Sequence, residues 1–114
     1  MTAQTQKTRW QYAAAIAAAG TTSGAVGLKN SALVGVLAPA AWTAASVALQ
    51  VRLDGVNWFP AYDAAGTPLV LALVAGGYTA IPAGALHGLE EIRFVSSVAQ
   101  VSAVSLTAVL RPFV

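Results

Sequence analysis

Between Ser46 and Asp54 the chain alternates without a break. Val47, Leu49, Val51 and Leu53 fall on one side; Ala48, Gln50, Arg52 and Asp54 fall on the other. A period of two predicts a half-buried β-strand, because successive side chains leave a strand on opposite faces. Asp54-Gly55 follows at once and predicts a tight hairpin turn, since Gly accepts positive φ. The chain then returns through the aromatic, β-prone run Val56 to Tyr62. The same alternation recurs from Glu91 to Ser96, where Ile92 and Phe94 oppose Arg93. It recurs again from Gln100 to Arg111, where Val104, Leu106, Ala108 and Leu110 oppose Ser105, Thr107 and Val109. Shorter apolar runs, Ala32 to Ala38, Pro68 to Val74 and Tyr78 to Ile81, are punctuated by Pro39, Gly76-Gly77 and Pro82.

Two segments are less periodic. Trp10 to Ala19 carries an Ala run with helical propensity. Its larger residues, Trp10, Tyr12 and Ile16, stand at even positions, which fits a strand, and strand is the reading adopted. Ala83 to Leu89 holds two Gly and the sole His and reads as a helical turn or loop. The sum is an all-β, antiparallel β-sandwich, jelly-roll-like, of seven to eight short strands with turn signals roughly every 8–12 residues. Val47, Leu49, Val51, Leu53, Ile92, Phe94, Leu106 and Leu110 are its expected core. Residues 31–114 form the sandwich, and residues 1–30 form an N-terminal arm or first strands. On that division, deleting residues 1–30 should weaken assembly more than the fold.

Composition changes the picture in one respect. The chain has 114 residues, 57% of them hydrophobic, but only six basic and four acidic ones. That 9% charge compares with about 25% in an ordinary soluble domain. The apolar excess needs a home in lipid or against other protein. Lipid is the weaker choice. The charge-free runs 30–51 and 64–89 are rich in Ala, Gly, Thr and Ser and are broken by Pro39, Pro68, Pro82 and several Gly, so no membrane span is expected. The polar start, MTAQTQKTRWQY, lacks the apolar region of a signal peptide. Basic residues are scattered, so no nucleic-acid partner is expected; Lys7 and Arg9 only keep an arm solvated. Without Cys there is no disulfide framework.

Catalytic chemistry is poorly supplied. His87 stands alone, and nothing places it with Asp54 or Asp63; no Gly-x-Ser-x-Gly elbow accompanies the Ser residues. Glu90 and Glu91 are adjacent, so in a strand they face opposite ways. Gly20, Gly24 and Gly27 lack the Lys-Ser/Thr of a phosphate loop. Asp54 with Asn57, or Asp63, could meet calcium, but the favoured reading is that Asp54 fixes its own turn. The expectation is therefore no enzyme, no cofactor and no metal. The aromatic residues remain. Trp58 reads as a core plug beneath the hairpin. Trp10, Tyr12, Ile16, Trp42 and Tyr62 are the candidate interface residues.

Residues 33–69 carry a series of features: Pro39-Ala-Ala-Trp42-Thr-Ala-Ala45, the alternating strand, Asp54-Gly55-x-x-Trp58, and Tyr62-Asp63-x-x-Gly66. Ile81 to Leu89, Ile92-Arg93 and a final Leu-Thr-x-x-Leu-Arg strand extend it over roughly residues 31–111. The series resembles a family of small structural proteins of tailed bacteriophages and prophages. The resemblance implies a jelly-roll-like virion component, a capsid decoration protein or a head or tail accessory. It also implies partners: the major capsid protein or other virion proteins, and its own copies as a homo-oligomer, with a trimer suggested by the three-fold positions of capsid lattices. The Asp-Gly-x-x-Trp hairpin also occurs in discoidin-like carbohydrate-binding sandwiches, so a module for host-surface glycan is the alternative.

Overall fold

A computed structural model describes residues 11–28, 31–81 and 91–112. Nine strands run through them: β1 Gln11–Ile16, β2 Val26–Gly27, β3 Ser31–Leu37, β4 Ser46–Arg52, β5 Trp58–Pro60, β6 Val70–Ala72, β7 Tyr78–Ala80, β8 Glu91–Ser96 and β9 Val104–Pro112. They form two antiparallel sheets. One has the order β1-β9-β3-β7. The other has the order β2-β8-β4-β5, with β6 also on β4. The chain is thus an all-β sandwich. No helix among the described residues is long and apolar enough to cross a membrane.

The pairings have a simple origin. β1 pairs with β9, β2 with β8, β3 with β7, and β4 with both β5 and β6. This is one long antiparallel ribbon whose tip is the turn between β4 and β5. The ribbon is rolled up by two further pairings, β3 with β9 and β4 with β8. A rolled hairpin of this kind is a jelly roll. The count is nine, against the expected seven or eight, because the run opposite β4 is split. Pro60 and Pro68 flank a turn that has no place in a continuous ladder. β5 covers Gln50 to Arg52 and β6 covers Ser46 to Ala48. Between them, Leu49 donates to Leu69 O at 3.1 Å and accepts from Ala61 N at 3.0 Å.

The tip is built by Asp54. Its Oδ1 accepts from the amides of Val56 (2.9 Å) and Asn57 (2.8 Å), and Asn57 Nδ2 donates to Oδ2 at 3.2 Å. Gly55 sits at φ 76°. Both carboxylate oxygens therefore serve the turn, as the sequence suggests. The five-residue loop ends the strand at Arg52, so Leu53 belongs to the turn and is 56% exposed. Its assignment to the core is corrected, and Val51 is only partly buried against the core.

The core itself follows the alternation. Ile16, Leu106, Val36 and Leu33 from one sheet meet Val47, Leu49, Ile92 and Phe94 from the other, all at 2% exposure or less. β1 supplies Ala14 and Ile16 to that layer and pairs with β9 over its whole length, from Gln11 opposite Val109 to Ile16 opposite Val104. The described part of residues 1–30 is thus a strand of the sandwich, not an arm outside it. The segment Ala83 to Leu89 and Trp10 lie outside the described residues.

Burying a Phe side chain is worth roughly 1.5–3 kcal/mol, and the hole left by truncation adds to that. Phe94→Ala should therefore lower unfolding free energy by about 3–5 kcal/mol, measured by urea denaturation. Leu53→Ala should change it by no more than about 0.5 kcal/mol. Deleting residues 1–30 removes β1 and β2 and should abolish the cooperative transition. A second test concerns Asp54, whose carboxyl is held below its ordinary value of 3.8, first by the Asn57 amide and then by that of Val56. The turn bonds should be complete above the ordinary value and lost as pH falls through the lowered one. The amide resonances of Val56 and Asn57 should titrate together at that lower midpoint.

Candidate interaction surfaces

Each sheet shows one face to the core and one to the outside, and the two outer faces differ in chemistry. On the four-stranded sheet, Ala13, Thr107, Leu37 and Tyr78 form one row across the strands, and Gln11, Val109, Gly35 and Ala80 form the next. None of these eight is charged. At Gly35 the register of β3 on β9 shifts through a bulge at Val34. A Cβ added at Gly35 would stand 2.0 Å from Tyr78 Oη, so the Tyr78 ring lies across the bare backbone and donates to Val34 O at 3.2 Å. The ring thereby flattens this face.

The neutral surface continues around one end of the sandwich. Strand directions bring four connections there: residues 17–25, 38–45, 73–77 and 97–103. They contain no Asp, Glu, Lys, Arg or His. Val74, Val98 and Val101 are exposed on them, Val101 at 82%. Gln100, fully buried, ties these loops together. Its Oε1 accepts from Thr43 N at 2.9 Å, its Nε2 donates to Thr43 O and Ser96 Oγ at 3.2 Å, and its backbone bonds Ala19 and Gly20. Gly76 N donates to Pro39 O, and Ala38 N to Gly77 O. A buried amide with every partner supplied fixes geometry strongly, because breaking any bond orphans a polar group.

The outer face of the five-stranded sheet is polar towards the hairpin tip. Its end row is Gly27, Glu91, Arg52 and Trp58; the next is Arg93, Gln50 and Pro60, followed by the apolar Val95, Ala48 and Val70. Arg52 pairs with Glu91 at 2.5 Å. Arg93 Nε donates to Gln50 Oε1 at 2.7 Å. Both guanidinium carbons stand over the Trp58 ring, at 4.5 Å for Arg52 and 4.4 Å for Arg93. Trp58 is therefore not a core plug. It shares the outward parity of Arg52, and two cations over its ring compensate for its exposure.

The five candidate interface residues are not brought together. Ile16 is fully buried and Trp42 is 4% exposed. Both belong to the core, and their placement at an interface is corrected. For Ile16 the even-position pattern marked the inner face of β1. For Trp42 the turn that carries it, with Trp42 N bonded to Pro39 O, folds the ring inward. Tyr12 and Tyr62 are exposed, but sheet order puts them at opposite edges of the sandwich. Trp10 and His87 lie outside the described residues. Sequence reasoning missed the Arg52–Trp58–Arg93 cluster. The alternation sets each Arg on the polar side of its own strand, but only the pairing of β4 with β8 brings the two together. Among the described residues no three His, Cys, Asp or Glu gather. Compared with models of known protein families, with characterised proteins and with solved structures, the chain has no match.

Trp42 Nε1 is buried with no hydrogen-bond partner among the described residues, a defect worth about 1–3 kcal/mol. Trp42→Phe deletes the orphan donor while keeping most of the ring, so it should be neutral or stabilising. Trp42→Ala should cost about 3–5 kcal/mol. Thermal and urea denaturation of the two variants distinguish the effects.

Proposed function

We propose that the chain is a virion structural protein that packs against the capsid shell and its own copies as a decoration or stabilising protein, without catalytic activity. One observation carries the reading. Among the described residues an uncharged surface runs from the Gln11 and Ala13 rows on the outer face of the four-stranded sheet over the four-loop end, with Arg111 the one charge on that face and at its far end, in a domain with few charges anywhere. Exposed apolar surface of this extent marks an interaction site. Small residues let a neighbouring backbone approach closely, and depletion of charge is what distinguishes the centre of an interface from its rim. An uncharged face also has nothing to repel an identical one, so closed association of copies is favoured, as a trimer. Closure matters because open-ended pairing would aggregate. The jelly roll alone decides nothing, since the fold serves capsid and lectin domains alike.

Mass spectrometry of purified particles tests the proposal. The protein should be present in stoichiometric amounts. Val101→Glu, at an exposed position of the four-loop end, should fold normally and lose incorporation; Leu53→Glu, at the opposite end, should fold normally and keep it. Sedimentation should show a trimer at micromolar concentration. Absence from particles, joined to saturable glycan binding lost in Tyr62→Ala, would establish the carbohydrate-binding alternative instead.

A further inference from the structure

The polar cluster on the five-stranded sheet is not used by that reading, and its two cations are not equivalent. Arg52 is compensated, because Glu91 Oε1 takes both its Nε, at 2.7 Å, and its terminal nitrogen. Arg93 is not. Its Nε is committed to Gln50, a neutral acceptor. Its two terminal nitrogens have no hydrogen-bond partner among the described residues, and no carboxylate there forms an ion pair with it. Two contacts nevertheless fix the guanidinium. Gln50 holds the Nε edge, and the Trp58 ring lies 4.4 Å from Cζ. A fork held by its inner edge and its face presents its remaining donors to solvent with little freedom left to lose. Such a fork matches the two oxygens of a carboxylate or phosphate in parallel bonds, and prior ordering reduces the entropic cost of binding.

We propose that Arg93, set by Gln50 and Trp58, is the receptor for an oxyanion group borne by a partner. Carboxylate and phosphate share the required geometry. Glu91 does not compete, since Arg52 occupies it.

The full chain should be titrated at low salt with a hexaglutamate peptide, with inorganic phosphate and with a hexaglutamine peptide as the neutral control, following the Arg93 Nε–H and Trp58 indole resonances by NMR. Saturable shifts of both resonances with either anion, and none with hexaglutamine, are expected. Which anion acts identifies the source: the peptide alone a protein carboxylate, phosphate alone a phosphate ester, both the shared chemistry. Arg93→Lys keeps the charge and the aliphatic stem but loses the fork, and should weaken binding about tenfold. Arg93→Gln should abolish it, read from the indole, with an unchanged thermal midpoint showing that the fold is intact. The proposal is overturned if neither anion shifts these resonances at about ten millimolar, if hexaglutamine shifts them equally, or if Arg93→Lys binds as the wild type does.

Discussion

The pairing of β3 with β9 and of β4 with β8 turns a ribbon into a sandwich, and the other features of the fold depend on it. The hairpin pairings alone would leave a long two-stranded ladder with an apolar face open to water. Such ladders are marginal at best. Rolling the ribbon stacks Ile16, Val36 and Leu106 on Leu49, Ile92 and Phe94 and closes that face. The bulge at Val34 serves the same end: it resets the alternation of β3 so that Leu33 and Val36 both point inward, which an unbroken strand could not do.

Once the inner faces are committed, parity assigns everything else. The residues left outside on one sheet are mostly Ala, Thr, Ser, Val and Gly, with Gln11, Leu37 and Tyr78 among them and Arg111 at the far end. Those on the other include two Arg, Glu, Gln and Trp towards the hairpin tip, with Ala48, Val70 and Val95 nearer the four-loop end. The domain is therefore two-sided in a chemical sense. One side presents mostly small and apolar groups, the other directed polar ones. Gln100 belongs to the first side, although it is polar, because its amide and backbone tie its own loop to the loops of Thr43 and of Ala19-Gly20.

Most of the strand content was legible because alternation is strict where one face is buried. The bounds of β8, the strand nature of β1, and the inner face of β9 all follow from the pattern. What escaped it has physical causes. An alanine says little about sides, since Ala14 is buried and Ala13 exposed. Leu53 continues the period of two but lies past the point where Asp54 captures the backbone. Trp58 is misplaced because size suggests burial, whereas the parity of its neighbours turns it outward; Trp42 is misplaced because its place near a turn suggests exposure, whereas that turn folds the ring inward. The order of strands within each sheet comes from pairings as distant as Gln11 with Val109 and has no local signature. The Arg52–Trp58–Arg93 cluster depends on that order, so it became visible only with it.

The placement of β1 beside β9 has a consequence for how the molecule is made. β1 is synthesised well before the strand that completes it, so Gln11 waits for Val109 and Ile16 for Val104. During synthesis the Ala-rich β1 has no ladder to join, and its edge carries neither charge nor proline to protect it. Its dilution in apolar side chains, three alanines between Tyr12 and Ile16, keeps that waiting segment weakly sticky. Folding is then governed by long-range closure, which is slow, and nascent copies held close together have time to exchange β1. An alanine-rich first strand therefore limits misassembly before the fold exists, while costing the finished core only the side-chain volume that Ile16 and its neighbours supply.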